Sequence, residues 1–194
     1  MNDTTMGAIP DADGTESSLP RGGLLILGGG IYSAVAEEIA REMGCFSSIS
    51  VLDDGRRETP LGTPVAGKLQ DAATGAAEYS YFAVAIGDPE TRLTLLRDVG
   101  ERTALRPVSL ISPRAFVSPS AQMGDGSVVE PMAVIHALCR VGEGCLISAG
   151  AVVNHGAVLE AGVHVDCNAT VAGLATVPRG TKVAAGAVFC PAHS

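Results

Sequence analysis

The second half of the chain is written in sixes. Divided from residue 116 it reads FVSPSA, QMGDGS, VVEPMA, VIHALC, RVGEGC, LISAGA, VVNHGA, VLEAGV, HVDCNA, TVAGLA, TVPRGT, KVAAGA and then VF. The second place holds Val117, Met123, Val129, Ile135, Val141, Ile147, Val153, Leu159, Val165, Val171, Val177, Val183 and Phe189, all apolar. With 46% hydrophobic residues overall, thirteen apolar residues in one fixed register arise by chance roughly 4 times in 100,000. The sixth place stays small or narrow, from Ala121 and Ser127 through Cys139 and Cys145 to Ala187. A period of six suits neither a helix nor a simple alternating strand. It suits a short strand followed by a sharp corner, repeated around a triangular coil. The third place, with Gly124, Gly142, Asn154 and Asp166, is read as that corner, because these residue types tolerate left-handed backbone. Twelve complete hexads then make four coils. Cys139 and Cys145 stand in the small column and read as core fillers.

The first half follows a different grammar. Residues 1–21 are rich in Asp, Thr, Ser, Gly and Pro with no periodicity, and read as a disordered leader. Leu24-Leu25-Ile26-Leu27 is a short apolar run closed by glycines, the pattern of a buried parallel strand meeting a turn. The spacing predicts a helix over 33–43, with Val35, Ile39 and Met43 inward and Glu37, Glu38, Arg41 and Glu42 opposite. Ile49–Leu52 and Phe82–Ile86 read as further strands, 90–100 as a helix and Val108–Ile111 as extended. The division is therefore a leader at 1–21, an α/β Rossmann-like domain over 22–112 and a parallel β-helix over 113–194.

Composition removes several partners. With 21 Asp plus Glu against 13 Lys plus Arg, the chain has no broad basic surface for nucleic acid or anionic membrane. No apolar run approaches the roughly 20 residues of a membrane span, and no secretory signal opens the chain. Five cysteines without C-x2-C spacing read as reduced thiols, so a cytoplasmic protein is expected.

The hexads resemble those of the hexapeptide-repeat acyltransferases, left-handed parallel β-helices with three hexads per coil. The order of domains resembles more specifically the family of sialic-acid O-acetyltransferases and UDP-N-acetylbacillosamine N-acetyltransferases. That resemblance implies acetyl-CoA as co-substrate, no catalytic metal, a nucleotide-sugar acceptor and a homotrimer with active sites at subunit interfaces.

The residues can be weighed on their own chemistry as well. Gly28-Gly29-Gly30-Ile31-Tyr32-Ser33 follows a strand and opens a helix, where backbone N–H groups and the helix dipole hold phosphate. The family's turn usually reads Ser-Gly-His-Gly, which Gly30, Ile31 and Tyr32 match by position rather than identity. Asp53 and Asp54 end the second strand, where an acidic residue reaches a ribose or base edge. The resemblance assigns this pair to the nucleotide. Gly87 closes the next strand and leaves room for the same ligand.

His155 follows the inward Val153 by two places and faces outward near a corner. A neutral imidazole there can accept a proton from an attacking amine or hydroxyl, and the resemblance assigns it as general base. The family commonly places an acidic residue next, where this chain has Gly156. Asp166, Glu160 or a backbone carbonyl could orient the ring instead. His164 matches a histidine that contacts acetyl-CoA. It stands nine residues from His155, half a coil, so the two meet only across a subunit interface. Gly173, one full coil beyond His155, could turn its N–H toward a thioester carbonyl. His136 lies one coil below Asn154, and His193 stands in the tail.

These features point to acetyl transfer from acetyl-CoA to the amine of a nucleotide-linked amino sugar. The alternatives are O-acetylation of a sugar or sialic acid, and a non-catalytic hexapeptide-repeat binding protein. A zinc β-helix is disfavoured by the spacings of 19 and 9 residues between His136, His155 and His164. An NAD enzyme is disfavoured by Ser33, which stands where a dinucleotide fingerprint places its third glycine.

Overall fold

The structure, a computed structural model, describes residues 22–75 and 78–190. The leader expected over 1–21 and His193 lie outside those residues.

The first layer is a parallel sheet. Strand β1 (Gly22–Leu27) leads through the glycine turn into helix α1 (Ile31–Met43), which Gly44 ends at a φ of 64°. Strand β2 (Phe46–Leu52), strand β3 (Val65–Gly67), the single turn α2 (Ala72–Gly75) and strand β4 (Tyr81–Val84) follow. Helix α3 (Pro89–Arg102) begins with proline in its first turn, capped by Asp88, whose carboxylate accepts the Thr91 N–H at 2.8 Å. Strand β5 (Arg106–Pro107) closes the sheet. The strand order is β3-β2-β1-β4-β5, all parallel, so the direction of winding reverses between β1 and β4. Leu24 to Leu27 are buried because both faces of β1 are covered.

From Leu110 the chain winds into a left-handed parallel β-helix. Sheet I stacks Leu110–Ile111, Val128–Val129, Leu146–Ile147, His164–Val165 and Lys182–Val183. Sheet II stacks Phe116–Val117, Val134–Ile135, Val152–Val153, Thr170–Val171 and Val188–Phe189. Sheet III stacks Gln122–Met123, Arg140–Val141, Val158–Leu159 and Thr176–Val177. The inward column of second-place residues and the small sixth-place residues, Cys139 and Cys145 among them, form one continuous core. Burial pushes the Cys145 thiol up to about 11, consistent with a filler rather than a reactive group.

Three expectations are corrected. The coil starts one hexad before residue 116, at LISPRA, because Leu110–Ile111 already pairs with Val128–Val129. The extended run at 108–111 thus lies between two structures, the edge strand β5 and the first coil. The left-handed corner residue is the fifth of each hexad, not the third: from Gly126 to Gly186 every fifth place has positive φ, including Met132, Leu138, Asn168 and Leu174. Gly124 and Gly142 are glycines for another reason, since a Cβ there would stand 2.5 Å from Glu143 N and 2.7 Å from Ala161 N in the next coil. Finally, Glu37 does not face solvent. It is wholly buried, because α1 is covered on a further side by the β2–β3 loop, whose Thr63 hydroxyl donates to Glu37 Oε2 at 2.6 Å beside Arg41 at 2.8 Å.

The two domains share packing. Leu110, Val128 and Leu146, the outward residues of the first three strands of sheet I, are covered by Ala36, Ile39 and Ala40 of α1. Each such leucine or isoleucine removed from water contributes about 1.5–3 kcal/mol. Helix α3 lies along the corner between sheets III and I, where Leu93 and Leu96 fill the space beside Gly126, Gly144 and Gly162. Among the described residues, no helix is long and apolar enough to cross a membrane.

Candidate active site

His155 stands exposed on the corner between sheets II and III. The side-chain oxygen of Asn154 accepts the backbone N–H of His155 at 2.8 Å and lies 2.8 Å from Nδ1 of the same ring. An oxygen already accepting one N–H can only accept the second, so Nδ1 carries the proton and Nε2 keeps its lone pair. Asn154 is therefore the orienting group, in place of the carboxylates considered from sequence. Asp166 is engaged by Lys182 at 2.8 Å, and Glu160 accepts the Arg179 N–H at 2.8 Å. Gly156 explains the missing acidic neighbour: its φ is 65°, and Leu174 of the next coil occupies the space a side chain there would take, 2.7 Å from an added Cβ.

Gly173 sits directly above the ring. A Cβ at 173 would stand 3.0 Å from both Cε1 and Nε2 of His155, so only glycine leaves that edge of the ring uncovered. Its N–H differs from those of four other corners and matches those of Ala137, Glu143 and Ala161, which also find no acceptor among the described residues. At Ala149, His155, Cys167 and Arg179 the corresponding N–H donates to a side-chain oxygen of Glu130, Asn154, Asp166 and Glu160 respectively. Gly173 is preceded by Ala172, which has no acceptor, and its N–H makes no hydrogen bond among the described residues. The ring of His136, one coil below, meets His155 edge-on with centroids 6.3 Å apart.

His164 lies elsewhere, on the outer side of sheet I beside the corner between sheets I and II. Ser148 Oγ is 3.1 Å from its Nε2, with Asp166 at 3.8 Å. Burial, and then Lys182, hold its pKa below the ordinary histidine value. The two histidines do not meet within the chain. Sheet II spans the gap between their corners, and its outward residues Phe116 and Val188 are 55% and 64% exposed.

The winding reverses outside the ends of β1 and β4, where open parallel sheets form a ligand crevice. Gly30 caps α1 without any side-chain bond to the helix, and a Cβ there or at Gly87 would meet open space. Ile31 is exposed at the same lip. Asp53 is bound up in holding the turn: its carboxylate accepts the N–H groups of Gly29, Gly55 and Arg56 at 2.8, 2.8 and 2.9 Å. Burial pushes its carboxyl up, and these three donors outweigh that and leave it lowered. Asp54 accepts the Leu69 N–H at 3.0 Å. Tyr32 turns away from the crevice, and its hydroxyl donates to Glu130 of the β-helix at 3.1 Å. Burial, and then Glu130, push that phenol well up, so it keeps its proton.

One residue had no signal in the sequence. Arg92, one of three arginines on α3, is fully buried. It donates to the carbonyls of Gly144 and Gly162 at 2.6 and 2.9 Å and of Ile86 and Gly87 at 2.8 Å each. Asn154 had a legible one, an Asx residue directly before the histidine it holds.

Comparison with known proteins bears on both halves of the chain. Residues 23–99 match the family described as the PglD N-terminal domain. The acetyltransferase domain of PglB from Neisseria gonorrhoeae, solved with acetyl coenzyme A, is 29% identical over 87% of this chain and 82% of its own, with a TM-score of 0.83. In both halves the chain resembles the hexapeptide-repeat sugar acyltransferases. PerB from Caulobacter crescentus, solved with CoA and GDP-perosamine, is 27% identical over 90% of this chain and 94% of its own, with a TM-score of 0.64. WeeI from Acinetobacter baumannii, 17% identical with a TM-score of 0.60 over 86% of this chain and 87% of its own, shares the fold. A comparison with curated proteins finds no match. These similarities make the protein an enzyme of the acyltransferase kind.

Proposed function

We propose that the protein transfers the acetyl group of acetyl-CoA to the amine of a nucleotide-linked amino sugar, of the UDP-4-amino-deoxysugar type, in one direct step in the cytoplasm. The observation that carries this reading is the pairing of a His155 Nε2 lone pair, fixed by Asn154, with a Gly173 N–H that has no acceptor, side by side on one corner. The acceptor nitrogen attacks the thioester carbon while His155 Nε2 takes its proton. Gly173 N–H donates to the oxygen as it becomes negative. The carbon–sulfur bond then breaks. CoA leaves as a thiolate of ordinary thiol pKa, near 8.5, and takes up the proton from His155. The products are the acetamido sugar and CoA thiol.

Gly30, Ile31 and Gly87 line the crevice that receives the nucleotide, the uncapped start of α1 facing its phosphates. Asp53 acts by shaping the Gly29–Gly30 turn, with Asp54 beside it at the nucleotide's outer edge. The two nucleotide-sugar and acetyl-CoA complexes among the relatives support these substrates. His164 belongs to the acetyl-CoA side of the groove. The apolar outer face of sheet II, bounded by the corners that carry His155 and His164, supports a homotrimer: a closed ring of three copies packed on that face sets the His155 corner of one copy against the His164 corner of the next.

Thiol release from acetyl-CoA with UDP- and GDP-linked 4-amino sugars, run beside His155→Ala, tests the proposal. Release that needs the amine and is lost in the variant supports it. Release with hydroxyl acceptors alone replaces it by O-acetylation. Acetyl-CoA binding without release leaves a binding protein.

A further inference from the structure

Between the crevice and the β-helix stand two polar fastenings, and each holds one lip. The β1 lip, carrying Gly30 and Ile31, continues into Tyr32, whose hydroxyl reaches Glu130 at 3.1 Å, while the other Glu130 oxygen accepts the Ala149 N–H at 3.0 Å. The β4 lip, Ile86–Gly87, presents both carbonyls to Arg92 Nη1 at 2.8 Å. From the same guanidinium, Nε reaches Gly144 O at 2.6 Å and Nη2 reaches Gly162 O at 2.9 Å. Those two carbonyls are 18 residues apart, the same place in consecutive coils, so the planar fork spans one coil repeat. A lysine ammonium is a single centre and cannot make all four contacts.

The cost of this arrangement is unusual. Arg92 is a fully buried cation whose four hydrogen bonds all go to neutral carbonyls, none to a carboxylate. Burial of an unpaired charge is unfavourable, and a packed α3 needs only Leu93 and Leu96 against the corner glycines. The two loops also touch each other, since a Cβ at Gly28 would stand 2.8 Å from Ile86 Cγ1. Both lips are thus tied to the β-helix and to one another.

We propose that Arg92 is a positioning residue for the acceptor: it locks the Ile86–Gly87 lip to two successive coils, and with Tyr32–Glu130 sets the distance from the nucleotide crevice to the transferring corner. This rests on the proposed nucleotide-sugar reading. Placement of the reacting nitrogen then depends on a tether running from the nucleotide through the lip to the guanidinium, and a loosened tether lowers the rate without touching the base or the thioester site.

The test compares two acceptors in Arg92→Lys and Tyr32→Phe, the latter deleting one hydroxyl while keeping the ring. With a nucleotide-linked 4-amino sugar, kcat is expected to fall about tenfold or more in Arg92→Lys and less in Tyr32→Phe, with KM for acetyl-CoA within about twofold. With the free 4-amino sugar, which the crevice does not hold, the same variants should lose no more than about twofold. Equal losses on both acceptors, or none on either, overturn the proposal. Hydrogen exchange of the intact chain provides a readout independent of turnover: residues 85–92 and 142–163 should exchange faster together in Arg92→Lys. Unchanged exchange in both segments overturns the lock even where the wild type acetylates neither acceptor, an outcome that would remove the acetyltransfer reading by itself.

Discussion

Two corners of the same β-helix run side by side with the same backbone and opposite contents. On the corner between sheets III and I, the left-handed places are Gly126, Gly144, Gly162 and Gly180, and α3 lies on the first three through Leu93 and Leu96. On the corner between sheets II and III they include Leu138, Gly156 and Leu174, and the two leucines are 70% and 75% exposed. Left-handed backbone costs a non-glycine residue roughly 1–2 kcal/mol. Among the described residues the exposed side chains of Leu138 and Leu174 recover little of it, Leu174 only by lying over Gly156. The covered corner has been emptied of side chains so that a helix can dock, whereas the uncovered one keeps large apolar side chains around His155, where substrate and a neighbouring copy are proposed to sit. Identical local geometry therefore says little about role, which depends on what packs outside.

The contrast breaks most sharply at the proposed base. His155→Ala should lower kcat about 10²–10⁴-fold while the urea midpoint shows a stability change within about 0.5 kcal/mol. On the covered corner the outcome should invert. Gly162→Val places a Cβ 2.7 Å from Leu93 at a φ of 72°, and left-handed strain plus overpacking should cost about 3 kcal/mol in urea titration. If that variant keeps full stability, α3 does not rest on the corner as described. Leu174→Gly relieves strain, loses little contact and should change stability by no more than about 1 kcal/mol. Sedimentation should nevertheless show weaker self-association, and unchanged assembly would separate the strained leucines from the interface.

The smallest effect is a pH dependence beside sheet II. Burial and Lys182 lower the folded pKa of His164 below its unfolded value near 6.5. The unfolded chain then binds more protons in the window between, so this contribution to stability is complete above about pH 6.5 and is lost as pH falls through the folded value. His164→Gln should flatten the slope of the urea midpoint between pH 7.5 and 5.5. Asp166, lowered by its hydrogen bond to Lys182, loses its own contribution only near and below its unfolded value of about 3.9, outside that window.

Legibility divided along similar lines. The inward column was readable because a β-helix buries the same hexad place at every turn, so periodicity and burial are one property. The corner place was readable too, in the recurrence of glycine at 126, 144, 150, 156, 162, 180 and 186, yet the third place drew notice because its glycines answer a different demand, close approach of the next coil. His155, His164 and Gly173 could be placed by counting in eighteens. Glu37 could not, since it was buried by a loop more than twenty residues away.

By itself, then, the sequence determined the period, the core column, the order of the two architectures and the outward setting of His155, all consequences of short-range spacing. Only the tertiary structure decided that Tyr32 leaves the crevice for Glu130 and that Arg92 is a buried fork between two domains. Those depend on side chains reaching residues tens of positions distant, and no local pattern records which carbonyl or carboxylate waits at the far end.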